Sequence, residues 1–236
     1  MANLNIIKNT QESNITNSNK IEKGLNYFSY ITFGFVIIAS IVLTFLLDLG
    51  IVTMVSCIAG ILYVCFLSSR SILNFIIGLV STTTYIFIAF QSKLFGEVIF
   101  YLFFDLPMIL ISFLIWKKKL NQDLTVKSKK LSLKIWLIII ALSAIVVLGY
   151  SFILKKIGGV NVYLDALSTV VSVIATLLMC FRYREQWFMW IVVYAVSVVM
   201  WATTFNLLML IMSICCLVSS FIGYIIWSLD KNIEKQ

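Results

Sequence analysis

The sequence contains no histidine, one proline and few charges. Without an imidazole, zinc sites built on histidine and Ser-His-Asp or Cys-His catalytic sets are excluded. Charged residues make up 12% of the chain, where a soluble domain carries about a quarter. Apolar residues make up 61%, and the mean hydropathy is +1.04. This composition excludes a water-soluble enzyme, a disordered tail and a secreted disulfide scaffold, and leaves a polytopic helical membrane protein. The five cysteines, Cys57, Cys65, Cys180, Cys215 and Cys216, are odd in number and lie in apolar runs with no C-x-x-C pair. They read as small buried hydrophobes, in a chain shared between a reducing cytoplasm and a bilayer.

Residues 1 to about 24 are polar and Asn-rich, without the apolar core and cleavage site of a signal peptide. They are expected to form a polar cytoplasmic tail over residues 1–25. A spanning helix needs about 20 apolar residues. The runs place spans at about 26–47, 51–69, 71–91, 97–116, 135–154, 162–181, 187–204 and 207–228. The final 40-residue run exceeds what one helix needs to cross, so it reads as a hairpin broken near Asn206. A basic loop covers 117–134, and residues 229–236 form a second cytoplasmic tail.

Net charge is +8, a balance that nucleic-acid binders share. Its distribution points instead to topology. With the N-terminus inside, the outer segments hold only Lys93, Lys155 and Lys156 of the 18 Lys and Arg. That asymmetry supports eight helices with both termini cytoplasmic, in the cell membrane. The 117–134 loop is expected to face anionic lipid. No nucleic acid is expected as a partner.

Two segments end alike: Trp116 precedes a lysine run, and Trp227 precedes Ser-Leu-Asp-Lys, 111 positions later. Counting three helices back from each gives repeats over 51–116 and 162–228, with a linker helix at 135–154 and an extra helix at 26–48. The fold class is thus all-α, with eight spans arranged 1+3+1+3. A lone linker makes both triplets run in the same direction, as parallel repeats with a site near the midplane.

Within the spans, Asp105 is the sharpest candidate. It lies mid-span in Phe-Phe-Asp-Leu-Pro, and an acid at that depth is a functional candidate by default. Pro107 is expected to kink the helix there. Glu97, Tyr101 and Asp105 follow i, i+4, i+8 spacing and form a polar stripe. Glu97 is expected at the outer surface, in the helix's first turn. Asp165 is expected at an outer end within reach of water. Trp187, Trp190, Tyr194 and Trp201 share one helical face and suggest a clamp for a flat ring, with cation–π attraction if the ring is charged. Asn74, Tyr85, Gln91 and Asn206 offer uncharged polar contacts.

The run Arg-Tyr-Arg-Glu-Gln-Trp-Phe-Met-Trp at 182–190 resembles the PnuC-type vitamin transporters. The stretch from Asn74 through Tyr85, Gln91 and Glu97 to Trp116 is similar to that family's first repeat, and the resemblance covers about 51–228. Its known members carry nicotinamide riboside, and relatives are assigned to thiamine, riboflavin and deoxyribonucleosides. The resemblance implies a SWEET-like fold of two parallel three-helix bundles. It also implies facilitated diffusion of an unphosphorylated substrate, trapped by a cytoplasmic nucleoside kinase as functional partner. Trp187 and Trp190 would pack on the substrate's ring, and Glu185 and Gln186 would hold the inner end of their helix. Tyr194 stands where the riboside carriers are expected to have asparagine. Ser112-Phe113-Leu114 replaces an expected Gly-Trp, and Asp105-Leu106-Pro107 is not a family feature.

The expected function is membrane transport of a nucleoside, a deoxyribonucleoside first and nicotinamide riboside second. Thiamine is the third choice. A substrate-binding subunit of an ATP-driven importer is the rival class, docked through the 117–134 loop. No cofactor or catalytic residue is expected, and a homo-oligomer is left open.

Overall fold

The structure, a computed structural model, describes residues 2–122 and 124–229, with side chains for Ser18 and from Lys20 onward. The part of the expected C-terminal tail beyond Leu229 lies outside the described residues. The described chain is helical: α1 Ala2–Leu47, α2 Ile51–Ser68, α3 Asn74–Gln91, α4 Phe95–Phe100, α5 Leu106–Lys117, α6 Leu133–Lys156, α7 Val162–Cys180, α8 Gln186–Thr203 and α9 Leu207–Leu229. A π-helical turn, Tyr101–Asp105, joins α4 to α5. With α4 and α5 taken as one span, eight helices among the described residues are long and apolar enough to cross a membrane.

Three local features differ from the sequence expectation. Helix α1 begins at Ala2, so the polar stretch read as a tail is helical and continuous with the first span. Pro107 does not simply kink its helix. The chain takes one wide π turn just before it, so Pro107, which has no N–H, falls in the first turn of α5. The basic loop does not lie free on lipid. Ser128 Oγ donates to the Trp227 carbonyl at 3.0 Å, the Arg182 guanidinium donates to the Lys127 carbonyl at 3.1 Å, and Val126 and Ser128 are fully buried.

The buried core lies mainly in α2, α3, the fourth span, α7, α8 and α9. Helix α6 is peripheral, packs on α7 and buries only Ser151 and Leu154. Helix α1 packs on α2 and α9 through a narrow stripe of Ser29, Phe33, Ser40 and Thr44. The three hydroxyls on that stripe bond to carbonyls of their own helix, so a close apolar seam leaves no orphan donor. Helix α2 packs on α9, and the fourth span packs on α7.

Six helix ends among the described residues close through one left-handed residue, Asp48 and Gly158 included, and four of the six fall into pairs. Arg70, Lys93, Arg182 and Phe205 take left-handed φ values of 55–66°. In each case the next amide bonds the carbonyl five residues back, at Ser71, Leu94, Tyr183 and Asn206. This closure satisfies carbonyls that a helix end would otherwise orphan. The four sites form two pairs, 70 with 182 and 93 with 205, each 112 positions apart. The Trp116 indole donates to the Met179 carbonyl of α7 at 3.2 Å, and the Trp227 indole donates to the Leu67 carbonyl of α2 at 3.3 Å.

Candidate functional site

Five spans enclose a central cavity. Gly60 and Tyr63 reach it from α2, and Ser81, Thr82 and Tyr85 from α3. The π turn contributes Tyr101 and Asp105. Trp190, Tyr194 and Ser197 line it from α8, with Met212, Ser213 and Cys216 from α9. Gly60 is required by close packing, since a Cβ there would come within 2.4 Å of Met212 Sδ. The cavity measures about 40 Å³, room for water but well below the ~300–1,000 Å³ of small-molecule sites. A nucleoside-sized guest therefore needs the lining side chains to part.

Aromatic rings dominate the lining. Trp190 and Tyr194 are stacked, with centroids 5.7 Å apart and planes 22° from parallel. Helical spacing of four residues places them one above the other. The Trp190 indole N–H is buried with no acceptor, leaving a donor for whatever enters. Tyr85 packs on Tyr101 at 4.6 Å and edge-on against Trp201 at 5.7 Å.

Asp105 is 6% exposed and lines the same cavity. Thr82 Oγ1 of α3 donates to one carboxylate oxygen at 2.9 Å, and Thr176 Oγ1 of α7 reaches the other at 3.5 Å. Two hydroxyls thus fix the carboxylate between helices while leaving it without a cationic partner among the cavity-lining residues.

The expected stripe divides. Tyr101 and Asp105 line the cavity, but Glu97 does not. Glu97 is buried and accepts a hydrogen bond from Ser168 of α7. It stands in the first turn of α4 as expected, but buried and not at the surface. Asp165 is also not reached by water: it is fully buried, and its two oxygens accept the Gly96 and Glu97 amides at 2.8 and 3.0 Å. It caps the fourth span from α7, supplying acceptors for amides in the first turn of α4. Gly96 permits the approach, as a Cβ there would sit 2.5 Å from the Asp165 carboxylate. Asp165→Ala is expected to lower the melting temperature in detergent, because two buried amides lose their acceptor at about 1–3 kcal/mol each. Asp165→Asn should recover part of the loss. An unchanged Asp165→Ala variant would remove the capping role.

The aromatic face of α8 divides as well. Trp187 lies outside the cavity, fully buried against Gly223 of α9 and edge-on to Trp227 at 6.0 Å. Trp201 backs Tyr85 from outside the lining. Asn74 and Gln186, both fully buried, begin α3 and α8 at the end of the bundle that also holds Trp116. Asn74 Nδ2 donates to the Ser71 carbonyl at 2.6 Å, while neither amide atom of Gln186 has a partner. Glu185 holds the basic loop, accepting the Leu131 amide at 3.0 Å and pairing with Arg184 at 3.2 Å. Of the residues expected from sequence, Tyr85, Tyr101, Asp105, Trp190 and Tyr194 meet at the cavity, whereas Trp116, also a candidate for substrate contact, is buried outside the lining with its indole on the Met179 carbonyl. Tyr63, Thr82, Thr176 and Ser197 were not foreseen. The Thr82-Thr83-Thr84 run amid an apolar span was the available signal for Thr82.

A family model described as nicotinamide mononucleotide transporter matches residues 50–229. The chain is 34% identical over 185 residues to the nicotinamide riboside transporter PnuC of Neisseria mucosa, covering 74% of this chain and 70% of that one. It is 35% identical over 178 residues to the protein of the same name from Haemophilus influenzae, covering 74% and 78% respectively. A crystal structure of the vitamin B3 transporter PnuC superposes with a TM-score of 0.79 at 30% identity, over 88% of this chain and 93% of that chain.

Proposed function

Since the chain belongs to the nicotinamide mononucleotide transporter family and is a membrane transporter, not an enzyme, we propose that it carries nicotinamide riboside. The carrying observation is the stacked Trp190–Tyr194 pair that shares a central cavity with Asp105. Two stacked rings present a flat face to a planar heterocycle, and Thr82, Ser81 and Ser197 offer hydroxyls to a sugar. The names of the similar proteins move nicotinamide riboside ahead of a deoxyribonucleoside. In this reading transport is facilitated diffusion, and a cytoplasmic nucleoside kinase traps the product.

The architecture we infer is 1+3+1+3, with α2, α3 and the fourth span as one unit and α7, α8 and α9 as its parallel copy. Supporting this, the Trp116 and Trp227 indoles bond reciprocally to the first helix of the opposite unit. The paired left-handed closures 112 positions apart support it too. The two indole bonds fasten the units at one end, and alternating access follows if they part there. The lysine and arginine asymmetry supports cytoplasmic termini.

The test is tryptophan fluorescence of the purified chain, titrated with nicotinamide riboside, thymidine, deoxyadenosine, uridine and thiamine. Saturable quenching by nicotinamide riboside at the lowest concentration supports the proposal. Preference for thymidine or deoxyadenosine would reassign the substrate, and no response to any would overturn the aromatic clamp.

A further inference from the structure

We propose that the cavity selects for positive charge on the substrate's ring, and that Asp105 is the counter-ion. The inference rests on the transport reading above and deepens it by naming the chemical property that is read.

Three carboxylates lie buried along the fourth span and its seam with α7: Asp105, Glu97 and Asp165. Each is held by neutral donors. Asp105 accepts from Thr82 and Thr176, Glu97 from Ser168, and Asp165 from the Gly96 and Glu97 amides. Among the described residues, no lysine or arginine lines the cavity. Buried charges in proteins are ordinarily paired, and an acid left within a membrane bundle marks a ligand or ion path. Glu97 and Asp165 are used up in joining the fourth span to α7. Asp105 alone opens into the cavity.

The remaining lining fits the same guest. Trp190, Tyr194, Tyr63, Tyr85 and Tyr101 line the same cavity as the carboxylate. The faces of such rings attract cations by about 0.5–2 kcal/mol, more when water is excluded. Nicotinamide riboside is an N-glycosylated pyridinium and carries one positive charge on its ring. A neutral nucleoside matches the shape but leaves Asp105 unpaired. A phosphorylated nucleoside brings negative charge to a site with an acid and no base. The same residue therefore favours the cation and rejects the phosphate ester, which is discrimination by repulsion as well as attraction.

The test uses a matched pair of ligands, nicotinamide riboside and its neutral 1,4-dihydro form, with the same sugar and the same amide. Binding of each to the detergent-purified full chain is followed by calorimetry, in wild type and Asp105→Asn. Wild type is expected to bind the cation at least about tenfold more tightly. Asp105→Asn is expected to lose most of that preference by weakening only the cation, the aromatic lining keeping the remainder, while the neutral form keeps its affinity and so reports an intact cavity. Equal binding of the two forms by wild type overturns the inference and leaves the transport reading standing. A parallel loss of both in a variant of unchanged melting temperature also overturns it, because Asp105 would then serve the sugar. If the variant does not fold, the wild-type preference decides alone. If wild type binds neither form, the transport reading itself falls.

Discussion

Trp190→Ala is expected to abolish saturable quenching by the substrate and weaken binding by roughly 10–100-fold. Stacking of one base on an aromatic side chain is worth about 1–3 kcal/mol by alanine substitution, and each 1.4 kcal/mol is about a factor of ten. Trp190 also supplies an indole N–H that has no acceptor among the described residues. The informative control is Trp187→Phe. Trp187 lies only three residues earlier, yet its ring faces Gly223 and Trp227 instead of the cavity. Binding should therefore survive in Trp187→Phe. A loss of equal size in both variants would contradict the geometry, because the two indoles would then act on the ligand together.

Gly223→Ala is expected to cause the largest loss of stability among single-methyl additions. A Cβ at Gly223 would lie 2.5–2.6 Å from three atoms of the Trp187 indole. That ring is fully buried between helices α8 and α9 and cannot swing away as the end of a flexible chain could. Overpacking of this kind costs about 1–3 kcal/mol, and more where the backbone must shift. The melting temperature in detergent should fall clearly, and Trp187→Leu in the same chain should restore part of it. Such recovery is the non-additivity expected of residues in direct contact. If Gly223→Ala melts like wild type, α8 and α9 are farther apart than described.

Hydropathy made the spans legible. The third run, placed at 71–91 from sequence, is α3 at Asn74–Gln91, shortened because Arg70 and Ser71 close the preceding helix. The aromatic face of α8 was legible only as a face. Three residues turn a helix by about 300°, so Trp187 and Trp190 differ in direction by about 60°. That angle separates the cavity from the seam with α9. The cavity is narrower than the stripe that periodicity defines. The acids of the fourth span were legible as exceptional residues, but their partners were not. Asp165 meets Gly96 and Glu97 across 69 and 68 positions of chain, and no local pattern encodes that contact. The π turn was invisible for the same reason: Pro107 signalled a broken helix without specifying how the backbone would absorb it.

In the proposed activity this chain alone moves an unphosphorylated, positively charged riboside across a bilayer through the Trp190–Tyr194–Asp105 cavity. Solute counterflow in liposomes holding only the purified protein tests it most directly. Vesicles preloaded with unlabelled nicotinamide riboside are diluted into a trace of labelled compound, without ATP and without an ion gradient. Transient accumulation of label is expected, and Trp190→Ala should abolish it. Absence of exchange in the wild-type vesicles, or exchange that persists unchanged in Trp190→Ala, would contradict the proposed activity.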